Sequence, residues 1–177
     1  MNSQNSCSVD KTETTTELHK LSDTWTLWAH LPHDTDWSLK SYNKVFTFQN
    51  IEELITLNNT IPERMLKNCM LFMMKEGIKP IWEDSENREG GCFSYRIANK
   101  YIKNIWDELS YKMVGKTCST NKELLNTING ITISPKKSFC ILKIWLKTSK
   151  FQDPSEIIEF ENFTSTGCIF KRHNPEY

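Results

Sequence analysis

The chain has 177 residues, 38% of them apolar, with 22 basic and 22 acidic side chains and therefore no formal net charge. That length carries one hydrophobic core rather than two, and neutrality excludes a protein that coats nucleic acid through counterion release, so any nucleic-acid contact should be local. No apolar run approaches the ~18 residues of a membrane span, and Cys7, Cys69, Cys92, Cys118, Cys140 and Cys168 form no C-x-x-C pair, so a soluble, cytoplasmic monomer with free thiols is expected, without membrane contact.

Residues 1–20 are rich in Ser, Thr and Asn and almost free of large apolar groups. They cannot offset the entropy of ordering and are expected to be a disordered tail, leaving 21–177 as one domain. Residues 25–31 favour a strand, and Val45, Phe46 and Phe48 favour a second beyond a polar loop that strands Trp37. Asn50-Ile51-Glu52-Glu53 has the form of a capping box, which starts a helix reaching about Asn59. Residues 69–75 are a continuous apolar strand, and 94–98 reads as its hairpin partner across a long Gly- and Pro-marked connection. After Asn99, the spacing of Ile102, Ile105, Trp106, Leu109 and Met113 predicts a helix that Gly115 ends. Residues 128–134 and 139–147 are strands joined by the turn Pro135-Lys136-Lys137-Ser138, and 156–163 reads as another strand. Strands outnumber helices, which predicts an α+β fold: a single curved antiparallel sheet with helices packed on its convex face.

The chemistry lies on the connection Gly77-Ile78-Lys79-Pro80-Ile81-Trp82-Glu83-Asp84, followed by Gly90-Gly91. An aromatic plane beside a carboxylate can stack on a purine and accept hydrogens from its Watson–Crick edge, so the pair points to a guanine binder. Trp25, Trp28 and Trp106 sit at strand or helix positions where an aromatic ordinarily fills the core, whereas Trp37 and Trp82 fall on polar loops. Four histidines without ligand spacing make a metal site improbable, and no nucleophile accompanies Glu83, Asp84 and Glu86, so neither catalysis nor a cofactor is expected.

Trp25-x-x-Trp28, Trp37, the Gly77 to Asp84 block with Gly90-Gly91, Trp106 and Ile144-Trp145 stand in register over roughly residues 19–147. In this the chain resembles the eukaryotic translation initiation factor 4E family, which binds the 5' cap of messenger RNA. The resemblance implies that Trp37 and Trp82 sandwich the cationic 7-methylguanine of capped RNA. It further implies that Glu83 accepts the N1 and N2 hydrogens, the Trp82 amide meets O6, and Trp145 sits against the N7 methyl. The implied role is recruitment of messenger RNA for translation. The alternatives are a factor, of viral or parasite type, that sequesters capped RNA, and an interaction protein of the same fold without cap affinity.

Against the family's pattern, Lys136 keeps one phosphate-contacting position, while Ile141 and Cys92 occupy two where the family has cations. Lys143 lies two residues from both Ile141 and Trp145, so strand alternation puts all three on one face. Lys136 and Lys143, with Lys137, are the expected phosphate contacts. The family's opposite surface takes a helix with the pattern Tyr-x-x-x-x-Leu-apolar from a scaffold or repressor. The corresponding residues are His19, Ile51, Ile55, Trp106, Asp107 and Glu108. Ile55 stands where the family has an exposed tryptophan and Asp107 where it has an apolar contact, so ordinary scaffold binding is not expected. Residues 150–154 leave no room for the family's third long helix. Thr164, Ser165, Thr166, Lys171 and Arg172 are expected in a mobile loop near the next nucleotides.

Overall fold

The computed structural model describes residues 18–175. In chain order the elements are β1 (Lys20–His30), β2 (Tyr42–Asn50), α1 (Ile51–Thr60), α2 (Glu63–Leu66), β3 (Met70–Lys75), β4 (Gly91–Ala98), α3 (Ile102–Val114), α4 (Lys122–Thr127), β5 (Ile128–Pro135), β6 (Phe139–Leu146) and β7 (Ile169–Arg172). The strands form one sheet in the order β2-β1-β3-β5-β6-β4-β7, with every neighbouring pair antiparallel.

Alternation along each strand divides the sheet into two faces. On β6, Cys140, Leu142, Ile144 and Leu146 are fully buried against the helices, while Ile141, Lys143 and Trp145 take the other side. The helical side holds the main core, in which Trp25 and Leu27 of β1, Leu71 and Met73 of β3 and Phe93 and Tyr95 of β4 meet α3. Ile102, Ile105, Trp106, Leu109 and Met113 form the stripe that α3 buries. Each such side chain gains about 1.5–3 kcal/mol on burial, which offsets the entropy of ordering the helix. The open face carries a smaller cluster of Phe72, Met74, Ile78, Cys92 and Trp145, with Trp28, Tyr42, Met70 and Trp82 packed against it.

Local signals explain most element ends. The Asn50 side chain accepts from the Glu53 amide at 2.9 Å, and the Glu53 carboxylate reaches back to the Gln49 amide at 2.9 Å, one residue earlier than a standard capping box. Gly115 ends α3 with right-handed backbone (φ −80°), and Lys116 takes the left-handed position (φ 52°) as its Asp23 ion pair closes at 3.0 Å.

Three expectations are corrected. β3 does not pair with β4: it pairs with β1 and β5, and β4 lies two strands further out between β6 and β7. The connection between them is long enough to cross the open face rather than turn tightly. Residues 156–163 are not a strand, because Asn162 adopts φ 60° and Phe160 and Phe163 close a turn through reciprocal bonds of 3.0 and 2.9 Å. Ile157 and Phe163 plug the core singly. Lys171 and Arg172, expected in a mobile loop, belong to β7 at the sheet edge. Two short helices, α2 and α4, were not expected. Most of the expected tail lies outside the described residues, and Lys20 already belongs to β1.

Candidate functional site

Two loops bring the predicted aromatic plates to the open face. The first follows β1. Asp34 accepts from the Asp36 amide at 2.9 Å, and Asp36 accepts from the amide and hydroxyl of Ser38 at 2.8 and 3.0 Å. These bonds hold the Asp36 carboxyl below the ordinary carboxylate range. They bracket Trp37, which remains 57% exposed. One face of Trp37 stacks on His30, with centroids 4.3 Å apart and planes 4° from parallel. The His30 ring is itself tied to the Asp36 carbonyl through Nε2 at 2.9 Å.

The second loop joins β3 to β4 and is stapled from within. Gly77 turns the chain at φ 88°. The Asp84 carboxylate accepts from the amides of Lys79 and Glu86 at 3.0 and 2.9 Å. Asn87, fully buried, donates to the carbonyls of Lys79 and Ile81, both at 2.9 Å. Asn129 on β5 then donates to the Asn87 side chain at 2.9 Å and to the Glu86 carbonyl at 2.7 Å. Trp82 and Glu83 therefore sit on a loop whose polar backbone is satisfied by buried amides, so its shape is fixed before any ligand arrives.

Between the plates runs a ribbon of rings. His30 meets Tyr42 edge-on at 5.1 Å, Tyr42 meets Phe72 at 5.2 Å, and Phe72 meets Trp145 at 6.4 Å. Trp145 tilts against His173 at 4.8 Å, and His173 stacks on Trp82 at 5.7 Å and 14°. Burial pushes the Tyr42 phenol up to about 12, and the Glu83 charge adds to that effect. His173 donates from Nδ1 to the Asn87 carbonyl at 2.7 Å, and burial together with the Lys143 charge lowers its pKa. The ring is therefore neutral at pH 7, and its Nε2 is buried without a partner among the described residues.

Of the predicted phosphate residues, Lys143 shares the open face with Trp145, its Nζ 5.9 Å from the centroid of the Trp82 ring. Lys136 and Lys137 are exposed on the β5–β6 turn, several residues further along the strand. On the helical side, Ile55 is 43% exposed and Ile51 half-buried. Asp107 contacts Lys103, and Lys103 also donates to the Asn58 carbonyl at 3.0 Å, linking α3 to α1. Burial raises the Asp107 pKa. Glu108 pairs with Lys112 at 3.3 Å, and His19 pairs with Glu52 at 2.6 Å beside α1. Trp106 is 1% exposed, a correction to its expected place on the partner surface: its indole fills the core beneath that surface.

Sequence reasoning missed His30, Tyr42, Phe72, Asn87, Asn129 and His173. The first could have been found by period two from Trp28 on β1. The two asparagines and His173 gave no signal, because their partners are distant in sequence. Among the described residues no cluster of His, Cys, Asp or Glu could hold a metal, and no helix is long and apolar enough to cross a membrane.

Known proteins resemble this chain in sequence and in fold. The family model described as eukaryotic initiation factor 4E matches residues 20–167. The initiation factor 4E of Candida albicans is 29% identical over 151 residues, covering 78% of this chain and 69% of its own. The isoform 4E of Solanum lycopersicum is 29% identical over 138 residues, covering 74% and 66%. The chain thus spans about two thirds of the length of these relatives. Among solved structures, a schistosome eIF4E complexed with m7GpppG and 4E-BP superposes with a TM-score of 0.68 at 26% identity, covering 75% of this chain and 74% of its own. Caenorhabditis elegans eIF4E-3, complexed with the 4E-binding protein Mextli and a cap analog, gives 0.67 at 25% identity, covering 75% and 76%. A family model that takes in β1 to the end of β6, on the same antiparallel sheet, decides the matter: the chain belongs to the eukaryotic initiation factor 4E family.

Proposed function

We propose that the chain binds the 7-methylguanosine cap of messenger RNA and serves translation initiation without catalysing a reaction. The observation that carries this reading is the ribbon of rings with Trp37 at one end and Trp82 at the other, each backed by a histidine and each on a hydrogen-bonded loop. In this reading the methylated guanine enters between Trp37 and Trp82. A desolvated cation between aromatic faces gains about 2 kcal/mol, and each base stack contributes about 1–3 kcal/mol. Glu83 accepts from N1 and N2, a charge-assisted pair of about 1.5–3 kcal/mol. Trp145, further along the ribbon, meets the methyl group. These contributions are not additive, and together they suffice for a micromolar site, which needs about 8 kcal/mol.

Membership in the family and the cap-bound relatives support the reading. Titrating tryptophan fluorescence with 7-methylguanosine triphosphate and with GTP tests it. Loss of the cation–π contribution alone gives the methylated nucleotide roughly a thirtyfold advantage. Quenching by neither nucleotide would leave an interaction protein of the same fold.

A second reading, sequestration of capped RNA rather than recruitment, is favoured by the helical side. The relatives were solved with 4E-BP or Mextli bound, whereas here α3 carries the half-buried carboxylate of Asp107 and α1 the exposed Ile55. Firm binding of a Tyr-x-x-x-x-Leu-apolar peptide would reject that reading.

A further inference from the structure

The cap-binding reading asks for positive charge beside the guanine slot, and β4 itself offers only the neutral Cys92 and Ser94 there. The register supplies an answer from the neighbouring strands. Cys92 stands opposite Trp145 on β6 and opposite Lys171 on β7, and the next open-face row is Lys143, Ser94 and Ile169. Directly paired residues lie about 5 Å apart, so the two lysines flank the Cys92 and Ser94 side chains from either side. The direction of Lys171 has an independent check: His173, two residues further on, stacks on Trp82 and tilts against Trp145. Period two then turns Lys171 to the same face, and Arg172 to the other.

Cys92 is 2% exposed and Ser94 9%, so the floor between the lysines is small, neutral and closed. Burial pushes the Cys92 thiol up, and the Lys143 and Lys171 charges oppose that shift, in keeping with the register. Among the described residues neither lysine has a carboxylate within ion-pair distance, although Lys44, Lys67, Lys103, Lys112, Lys116, Lys147 and Lys150 all do. Two ammonium groups without an ion-pair partner among the described residues, over a neutral floor next to Trp145 and Trp82, form a seat for an anion that leaves the guanine slot.

We propose that Lys171 of β7, acting with Lys143, holds the cap phosphates across Cys92. The triphosphate then leaves the guanine slot towards the β7 edge of the sheet rather than along β6 to the lysines of its turn. This assignment rests on the cap-binding reading and deepens it.

The test compares 7-methylguanosine triphosphate with 7-methylguanosine, which lacks phosphates, on the wild-type chain and on Lys171→Glu and Arg172→Glu. Removing one charge-assisted hydrogen bond to phosphate predicts that Lys171→Glu lowers the triphosphate-over-nucleoside affinity ratio about tenfold or more. Its salt dependence should fall as well. Arg172→Glu makes the same change of charge one position on and should leave the ratio unchanged. Equal losses from both variants would reveal a general field effect and overturn the assignment, as would an unchanged ratio in Lys171→Glu. Thermal unfolding of each variant separates weakened phosphate binding from unfolding, and Lys171→Met supplies a milder change if the glutamate variant does not fold. If the wild-type chain binds neither ligand, the cap-binding reading fails first, and that outcome is distinct from a failure of Lys171.

Discussion

Asn87→Ala tests whether the Trp82 loop is held by the buried amides. The substitution removes two donated bonds of 2.9 Å, to Lys79 and Ile81, and one accepted bond of 2.9 Å from Asn129. Asn129 keeps its bond to the Glu86 carbonyl, and the Asn87 carbonyl keeps His173. Three bonds at a net of about 1 kcal/mol each predict a loss of about 3 kcal/mol, at a site too buried for water to restore the carbonyl partners fully. For a chain of this length each kcal/mol moves the midpoint by about 2–4 °C, so Tm should fall by about 6–12 °C. The domain still folds, since typical stabilities are about 5–15 kcal/mol. Because the loop carries Trp82 and Glu83, affinity for 7-methylguanosine triphosphate should fall as well, in the temperature range where the variant is folded. Differential scanning calorimetry followed by fluorescence titration reads both effects. A Tm within about 2 °C of wild type would refute the claim that Asn87 holds the loop.

Trp37→Ala should separate binding from folding: with Trp37 57% exposed, stability should shift by no more than about 0.5 kcal/mol, while cap affinity falls by about 1–3 kcal/mol. Chemical denaturation and nucleotide titration of the same variant check this. His173 has a lowered folded pKa, so its contribution to stability is complete above its ordinary value of 6.5 and is lost as pH falls through the folded value. Urea midpoints measured downward from pH 7 should therefore decline more steeply for wild type than for His173→Gln. Tyr42 has the opposite sign: its contribution is complete below pH 10 and is lost as pH rises through about 12, so ultraviolet titration should show a phenol ionising near pH 12 that Tyr42→Phe removes, while Tyr95, pushed up further by burial, ionises later still. Asp107→Leu removes a carboxylate that burial disfavours. It should strengthen binding of a Tyr-x-x-x-x-Leu-apolar peptide by calorimetry, and no gain would show that Asp107 is not the obstacle.

The features legible in the sequence were those written locally. The stripe of α3 and the Asn50 cap follow from side chains within a turn or two of one another, and the exposed Trp37 and the Trp82-Glu83 loop stood out as aromatics among polar neighbours. Strand order was not legible, because β3 and β4 each choose partners across the whole sheet and a hairpin is only the nearest choice in sequence. The site's support was hidden for the same reason. His173 reaches Asn87 across 86 positions and Asn129 reaches it across 42, and no pattern in one chain announces such a pair. Residues 156–163 misled through composition, since isolated core plugs on a turn have the same apolar content as a strand. β7 misled in the other direction, because a run of only four residues becomes a strand only beside β4.

The most direct test of cap recognition is a crystal structure of the chain with 7-methylguanosine triphosphate bound. The guanine ring should lie between Trp37 and Trp82, with its N1 and N2 on the Glu83 carboxylate and its methyl towards Trp145. A guanine bound away from these two rings, or stacked on Trp82 while Trp37 contacts only His30, would contradict the proposed sandwich.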